Sequence, residues 1–265
     1  MSKLIVVKLG GEIVASQRLP AIARDVRSLV EGGARVVMVH GGGPQATELG
    51  KRLGIAARIV GGRRVTDDAT LEVVKMTLGR LNVDLVAALR AAGVRAVGML
   101  GAVEAVRRPP RVVSGGGPDP VDFGWVGEVT GLDRALLDFA LDAGRVPVLA
   151  CLGAGTDLPG AVYNINADTV ANRAAVELAA DALILITNTD GVRKRVDDPA
   201  SRIPRLTIAE GRAAIADGTV AGGMIPKLEE SFEALAEGVR SILIVAGDLA
   251  QAVANPGSVG TRIEP

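Results

Sequence analysis

The sequence predicts an α/β protein, a three-layer αβα sandwich around a mainly parallel open sheet. Two observations carry that prediction. Short β-branched apolar runs alternate with helix-period segments, and each run is almost uniformly hydrophobic, as a strand covered on both faces must be. The repeated order strand, helix, strand then implies right-handed crossovers and parallel pairing.

The strand segments are residues 4–9, 35–40, 95–100, 146–151, 182–187 and 241–245. Ile22, Val26, Leu29 and Val30 mark one helix face, and Leu71, Val74, Leu78, Leu81 and Leu85 mark another. Further helices are expected over 134–143, 167–180, 208–216 and 227–237. Two stretches, 58–65 and 107–129, are rich in Gly, Pro and Arg and have hairpin character, so they should project beyond the core sheet. A helix over 165–180 should carry the chain from an N-terminal lobe, 1–178, into a C-terminal lobe, 179–265. The lobes should share one continuous sheet, with a cleft at the strand carboxyl ends.

Composition narrows the function. At about 150 residues per domain, 265 residues make a little under two domains. Lys+Arg 30 and Asp+Glu 30 cancel, and aromatics are 2%, so neither a basic footprint nor a stacking platform argues for nucleic acid. Cys151 is the single cysteine and His40 the single histidine, which excludes a disulfide framework, a Cys-based zinc site and a histidine cluster. No apolar run reaches the roughly 18 residues of a membrane span, and the first residues lead straight into a strand rather than a signal peptide. A cytoplasmic enzyme is expected, without membrane or nucleic-acid partners. Glycine is the outlier: 34 of 265 residues, about 13% against a usual 7%.

Those glycines cluster where strands end. The first strand closes Lys8-Leu9-Gly10-Gly11, and the second closes His40-Gly41-Gly42-Gly43-Pro44-Gln45 before a helix. Single clusters can be plain turns, but two at strand carboxyl ends point to backbone N–H groups receiving oxyanions. Gly41, Gly43 and Ala46 also fit the dinucleotide pattern G-x-G-x-x-[GA], yet Pro44 interrupts the turn and the ribose acid is missing. There is no G-x-x-x-x-G-K-[ST] loop.

Charged residues stand beside these loops. Lys8 breaks an apolar strand, as a snorkelling lysine or as a cation aimed at the glycines. Lys227 follows Gly222-Gly223-Met224-Ile225-Pro226, with Pro226 read as the first helical residue. A cation there opposes the helix dipole by roughly 0.3–1 kcal/mol. Glu229 and Glu230 could offset that cost locally, or a bound polyphosphate could explain it. Asn166 and Asp168 read equally as a helix cap with a first-turn acid, or as site residues. Thr66 looks like a cap, and Arg64 is either solvated or a carboxylate clamp.

Taken in order, these residues resemble the amino acid kinase family, and within it the branch that phosphorylates N-acetyl-L-glutamate. The matching segments are Lys8–Gly11, 39–45, 62–66, 121–129, 164–168, 222–227 and 260–262, spread over almost the whole chain. The resemblance implies ATP-dependent phosphorylation, with Mg²⁺, of the side-chain carboxylate of N-acetyl-L-glutamate in arginine biosynthesis. It implies that Lys8 and Lys227 stabilise the phosphoryl group in flight, with Asp168 holding both lysines. Gly10 and Gly11 would donate N–H bonds to phosphate. Gly42, Gly43, Arg64 and Asn164 would bind the acetylated amino acid. Thr187, Asn188, Asp190, Gly191, Gly222 and Gly223 would receive ATP, with no protein metal ligand assigned. Many relatives carry an aspartate where Asn188 stands. Arginine-inhibited relatives also carry an extra N-terminal helix, whereas Lys8 lies eight residues from the start, so a homodimer without strong arginine feedback is expected.

Elementary chemistry agrees with that reading. A carboxylate of pKa about 4.3 is already a nucleophile at neutral pH, so no general base is needed. What is needed is alignment of two polyanions and neutralisation of their repulsion. The competing readings are a kinase of an N-modified 2-aminoadipate in lysine biosynthesis, N-succinylglutamate as the acceptor, a non-catalytic nucleotide or amino-acid sensor, and a nicotinamide oxidoreductase.

Overall fold

A computed structural model describes residues 2–113 and 116–265. The chain opens with β1 (Leu4–Leu9), the single turn α1 (Gly11–Val14), α2 (Leu19–Glu31) and β2 (Arg35–His40). Helix α3 (Gly43–Arg52), strands β3 (Arg58–Val60) and β4 (Arg63–Val65) and the long helix α4 (Asp68–Ala91) follow. Next come β5 (Ala96–Met99), β6 (Val103–Arg107), β7 (Gly127–Leu132), α5 (Arg134–Asp142) and β8 (Val146–Ala150). Strands β9 (Leu152–Gly155) and β10 (Val162–Asn164), helix α6 (Ala167–Glu177) and β11 (Ala182–Ile186) continue the chain. The remainder is β12 (Arg205–Thr207), α7 (Ile208–Ala216), α8 (Met224–Ala236), β13 (Ile242–Val245), α9 (Leu249–Ala254) and β14 (Thr261–Glu264).

Eight strands form one continuous sheet in the order β12-β14-β13-β11-β1-β2-β8-β5. Every neighbouring pair is parallel except β13 with β14. The uniform hydrophobicity of the strands is explained by helices on both faces. Ile5, Val7, Leu9, Met38 and Val148 pack with Ile22, Val26 and Leu29 of α2 in one layer. Val6, Val37, Val39 and Leu149 pack with Val170, Ala171 and Ala174 of α6 in the other. The chain runs from β1 to β2 on one side and returns as β11 on the other. The carboxyl end of β1 is therefore a point where strand order reverses, the place where open α/β sheets hold ligands.

The segment 58–65 is the antiparallel hairpin β3–β4, as expected, and forms a small sheet of its own. The segment 107–129 is only partly a projecting hairpin. Arg111 and Val121 bridge across it, and residues 114–115 lie outside the described residues. Its base belongs to a second sheet, the platform sheet, ordered β10-β9-β6-β7, that the apolar periodicity does not reveal. Strands β12 and β14 are likewise additions to the expected set.

Two helix starts also differ from expectation. Asp67, not Thr66, caps α4 by accepting from the Thr70 N–H at 2.8 Å. Thr66 is buried and its hydroxyl accepts from Asn164 Nδ2 instead. Helix α8 begins at Met224, so Pro226 is its third residue, not its first. That position is tolerated because first-turn N–H groups have no intrahelical acceptor to lose.

One buried polar pair joins the sheet to α4. Asn82 Nδ2 lies 2.9 Å from the Val148 carbonyl and 3.1 Å from His40 Nε2, and His40 Nδ1 lies 3.1 Å from the Gly41 carbonyl. These partners suit a neutral imidazole that donates from Nδ1 and accepts at Nε2. Burial lowers the His40 pKa from its ordinary 6.5. Unfolded His40 therefore binds a proton at pH values where the folded ring does not. The resulting stability is complete above about pH 6.5 and is lost as pH falls through the folded pKa. Urea unfolding compared at about pH 7.5 and about pH 5.5 should show a larger fall for the wild-type chain than for His40→Gln; equal falls would exclude this role.

Candidate active site

Alternation along β1 sets the direction of its lysine. Leu4 and Val6 face the α6 layer while Ile5, Val7 and Leu9 face α2, so Lys8 is directed toward α6. Its Nζ lies 2.6 Å from Asp168 Oδ1, with the two side chains 9% and 17% exposed. Asp168 is held from behind: the Asn166 cap accepts its N–H at 2.9 Å. The N-terminal end of α6 also favours its negative charge.

The two glycine loops are pressed together beside this pair. A Cβ on Gly11 would stand 2.3 Å from Gln45 Oε1 and 2.6 Å from the Gly42 Cα. A Cβ on Gly42 would stand 2.8 Å from Leu81 Cδ1. Close approach, not backbone dihedral, is what requires glycine at both positions. Neither Gly10 before α1 nor Gly42 before α3 offers a side-chain cap, so first-turn N–H groups are left for other acceptors.

Two cavities meet at these loops. One, of about 490 Å³, is lined on its β11 and α8 side by Thr187, Asn188, Gly191, Gly223 and Lys227. The other, of about 500 Å³, is lined by Gly42, Gly43, Arg64 and Asn164, with Arg63, Arg108 and Cys151. Lys8, Gly10, Gly11 and Pro44 line both. A group held in either cavity would therefore reach the same cation and the same backbone donors.

Within the first cavity Asn188 donates from Nδ2 to Glu12 at 2.7 Å and accepts from Arg18 at 3.3 Å. An aspartate at 188 would oppose Glu12, which gives the amide a local reason. Asp190 and Gly222 fall outside the cavity wall. Asp190 pairs with Arg193 at 2.7 Å, and Gly222 makes the left-handed turn before α8 at φ +61°.

Within the second cavity Arg64 donates from Nη2 to the Gly43 carbonyl at 2.9 Å and to Thr47 Oγ1 at 2.6 Å. Burial lowers its pKa. Asn164 Nδ2 donates to Thr66 Oγ1 at 3.1 Å, and its amide oxygen accepts no hydrogen bond among the described residues.

Several residues here are not marked as site residues by the sequence pattern. Glu230, on α8, lies close enough to Lys8, Lys227, Arg63 and Asp168 to feel their charges. Burial foremost, then Asp168, pushes its pKa up to about 7, and the three cations pull against that shift. Arg108 and Cys151 also face the second cavity. The Cys151 thiol donates to the His40 carbonyl at 3.1 Å, and burial pushes its pKa far upward. Native Cys151 should react with an aromatic disulfide reagent far more slowly than the same thiol in urea. Equal rates would show that the cavity wall is open there.

Comparison with known proteins adds a consistent set of likenesses. A family model described as the amino acid kinase family matches residues 3–246. Acetylglutamate kinase of Sorangium cellulosum is 57% identical over 270 residues, covering 98% of this chain and 94% of that protein. Acetylglutamate kinase of Anaeromyxobacter dehalogenans is 57% identical over 271 residues, covering 99% of this chain and all of that one (100%). Among solved structures, N-acetylglutamate synthase from Neisseria gonorrhoeae, complexed with coenzyme A and N-acetyl-glutamate, superimposes with a TM-score of 0.84 at 26% identity. That match covers 99% of this chain and 59% of the synthase. Carbamate kinase from Giardia lamblia bound to AMP-PNP superimposes with a TM-score of 0.72 at 17% identity, covering 99% and 98% of the two chains. The second likeness is one of fold.

Proposed function

The chain belongs to the amino acid kinase family, and we propose from that premise that it is an acetylglutamate kinase. It transfers the γ-phosphoryl group of ATP to the side-chain carboxylate of N-acetyl-L-glutamate, giving N-acetyl-L-glutamyl 5-phosphate, the second step of arginine biosynthesis. The observation that carries the reading is the pair of cavities meeting at Lys8, Gly10 and Gly11, joined to 57% identity over nearly the whole chain with proteins named for this activity.

The mechanism follows from charge. In this reading ATP lies in the cavity of Thr187, Asn188, Gly191 and Gly223, within the lobe formed by residues 179–265. The acceptor lies in the cavity of Gly42, Gly43, Arg64 and Asn164, within the lobe formed by residues 1–178. The acceptor carboxylate is ionised at neutral pH and attacks phosphorus in line, so no proton has to be removed. The obstacle is the repulsion between two anions and the charge spread over the transferring oxygens. Lys8 meets that charge where the cavities join, and Lys227 meets it from the nucleotide side. Asp168 fixes Lys8 through the 2.6 Å ion pair, and the N–H groups of Gly10 and Gly11 receive phosphate oxygens. Asp190 and Gly222 support the nucleotide loop from outside the cavity wall. Among the described residues no three His, Cys, Asp or Glu side chains converge to cage a metal. Mg²⁺ brought with ATP would supply further neutralisation of the phosphate charge.

The homodimer is supported by the apolar face of α4. Met76 and Val83 are 51% and 67% exposed, seven residues apart and on one side of the helix. Leu100, beyond the edge strand β5, is 49% exposed. A sedimentation mass of two chains is expected, and that of a monomer or hexamer would overturn the dimer. Among the described residues no helix is long and apolar enough to cross a membrane; a cytoplasmic setting is in keeping with an activity that draws on ATP.

Hydroxylamine trapping of the acyl phosphate tests the function directly. N-acetyl-L-glutamate should be turned over in preference to N-acetyl-aminoadipate, N-succinylglutamate and free glutamate; activity on the longer acid alone would move the protein to lysine biosynthesis. In the same assay Lys8→Arg should lower kcat by about 100-fold or more, because the larger fork cannot reproduce a point-charge contact. Arg64→Ala should raise the KM for the acceptor about 10- to 100-fold and leave that for ATP nearly unchanged. An unchanged acceptor KM would remove Arg64 from the site.

A further inference from the structure

The acceptor cavity contains a cation without an assigned task. Arg108 follows β6, and its backbone N–H donates to the Val126 carbonyl at 2.8 Å, fixing it to the platform strands. The residue is 6% exposed. Its side chain makes no hydrogen bond among the described residues; its buried Nε is held only by an ion pair, 3.4 Å from Glu128 Oε1. Arg108 lines the acceptor cavity and also an adjoining one of about 390 Å³, so its guanidinium stands at their junction.

A buried guanidinium is costly unless an anion meets it with hydrogen bonds. Burial, then Arg111 and Arg63, push the Arg108 pKa down to about 10, and Glu128 and Glu230 work against them. Glu128 is not available to Arg108 alone, because Arg111 lies 4.0 Å from the same oxygen. Glu230 titrates near neutrality and is a weak counter-charge. The adjoining cavity answers its arginines with Glu229, Glu230, Glu233 and Glu237, but the acceptor cavity is lined by Lys8, Arg63, Arg64 and Arg108 and by no acidic side chain, so a carboxylate held there would meet an excess of positive charge.

We propose that Arg108 is a substrate-binding residue that receives the acceptor's second carboxylate, the one that is not phosphorylated. It thereby gives the site its preference for N-acylated amino acids with two carboxylates. The inference rests on the acceptor reading above. A guanidinium presents a planar fork that matches a carboxylate, and a neutral acyl oxygen would leave the excess charge in place. Arg64 and Arg108 line the same cavity from the hairpin and from the platform, so the carboxylate is received between two cations.

The test uses the full-length enzyme, N-acetyl-L-glutamate, and its α-carboxamide analogue, which keeps the side-chain carboxylate. Wild-type turnover of N-acetyl-L-glutamate tests the parent reading by itself. Arg108→Met should then raise the KM for N-acetyl-L-glutamate about 10- to 100-fold, hold the KM for ATP within about twofold, and lower kcat/KM for the analogue far less than for N-acetyl-L-glutamate. Arg108→Lys should recover part of the loss, and it decides the matter on the same two acceptors should Arg108→Met fail to fold. Equal losses on both acceptors, or an unchanged KM, would overturn the proposal. Glu128→Gln removes the ion pair but keeps the guanidinium, so it should retain the wild-type KM. If it reproduced the Arg108→Met loss, Arg108 would be a structural partner of Glu128 and nothing more.

Discussion

The site depends on one tolerated charge. Lys8 lies on β1, whose neighbours in register are Leu185 and Val39, in a strand otherwise apolar and buried. An ammonium in that layer is affordable only because Asp168 stands 2.6 Å away. Asp168 in turn depends on the turn that delivers it: β10 ends at Asn164, Asn166 caps α6, and Ala167 packs 3.2 Å from where a Gly41 Cβ would be. The second glycine loop and the start of α6 are thus positioned by the same packing that neutralises the lysine.

That arrangement separates binding from chemistry. Each cavity has its own walls, one built from β11 and α8, the other from α3, the β3–β4 hairpin and the platform sheet. The shared floor carries the cation and the backbone donors. In the proposed reaction, recognition can then change in either cavity without disturbing the charge placed at their junction. Placing the donors on rigid strand ends also means they need not reorganise as negative charge develops.

Legibility in the sequence followed the range of the interactions involved. The glycine loops could be read because strand, turn and helix signals lie within a dozen residues of one another. Lys8 could be read because one cation in an apolar run is conspicuous. The platform sheet could not, since β6 pairs with β7 and β9 across long gaps and its strands bury residues irregularly. Arg108 was invisible for the same reason: its meaning comes from Val126, Glu128 and Arg111, not from its immediate neighbours. Local competition explains the smaller differences. Thr66 looks like a cap until Asn164 claims its hydroxyl, and Asp190 is a nucleotide-side candidate until Arg193 engages it.

The far edge of the sheet has a consequence for how the molecule is made. Strand β14 runs antiparallel to β13 and provides β12 with its pairing partner in the sheet. Residues 205–207 must therefore wait for residues 261–264 to emerge before they can enter the sheet. Thr261, at the head of β14, also accepts the Val192 N–H at 2.8 Å and donates to the Ile203 carbonyl at 2.6 Å. The last strand consequently locks the loop beside the first cavity. The strands β1, β2 and β8 and the walls of the second cavity precede β14 in the chain, while the loop beside the first cavity still lacks its closing stitch. A chain interrupted before β14 would hold the second cavity's walls and lack the strand that fixes the loop of the first.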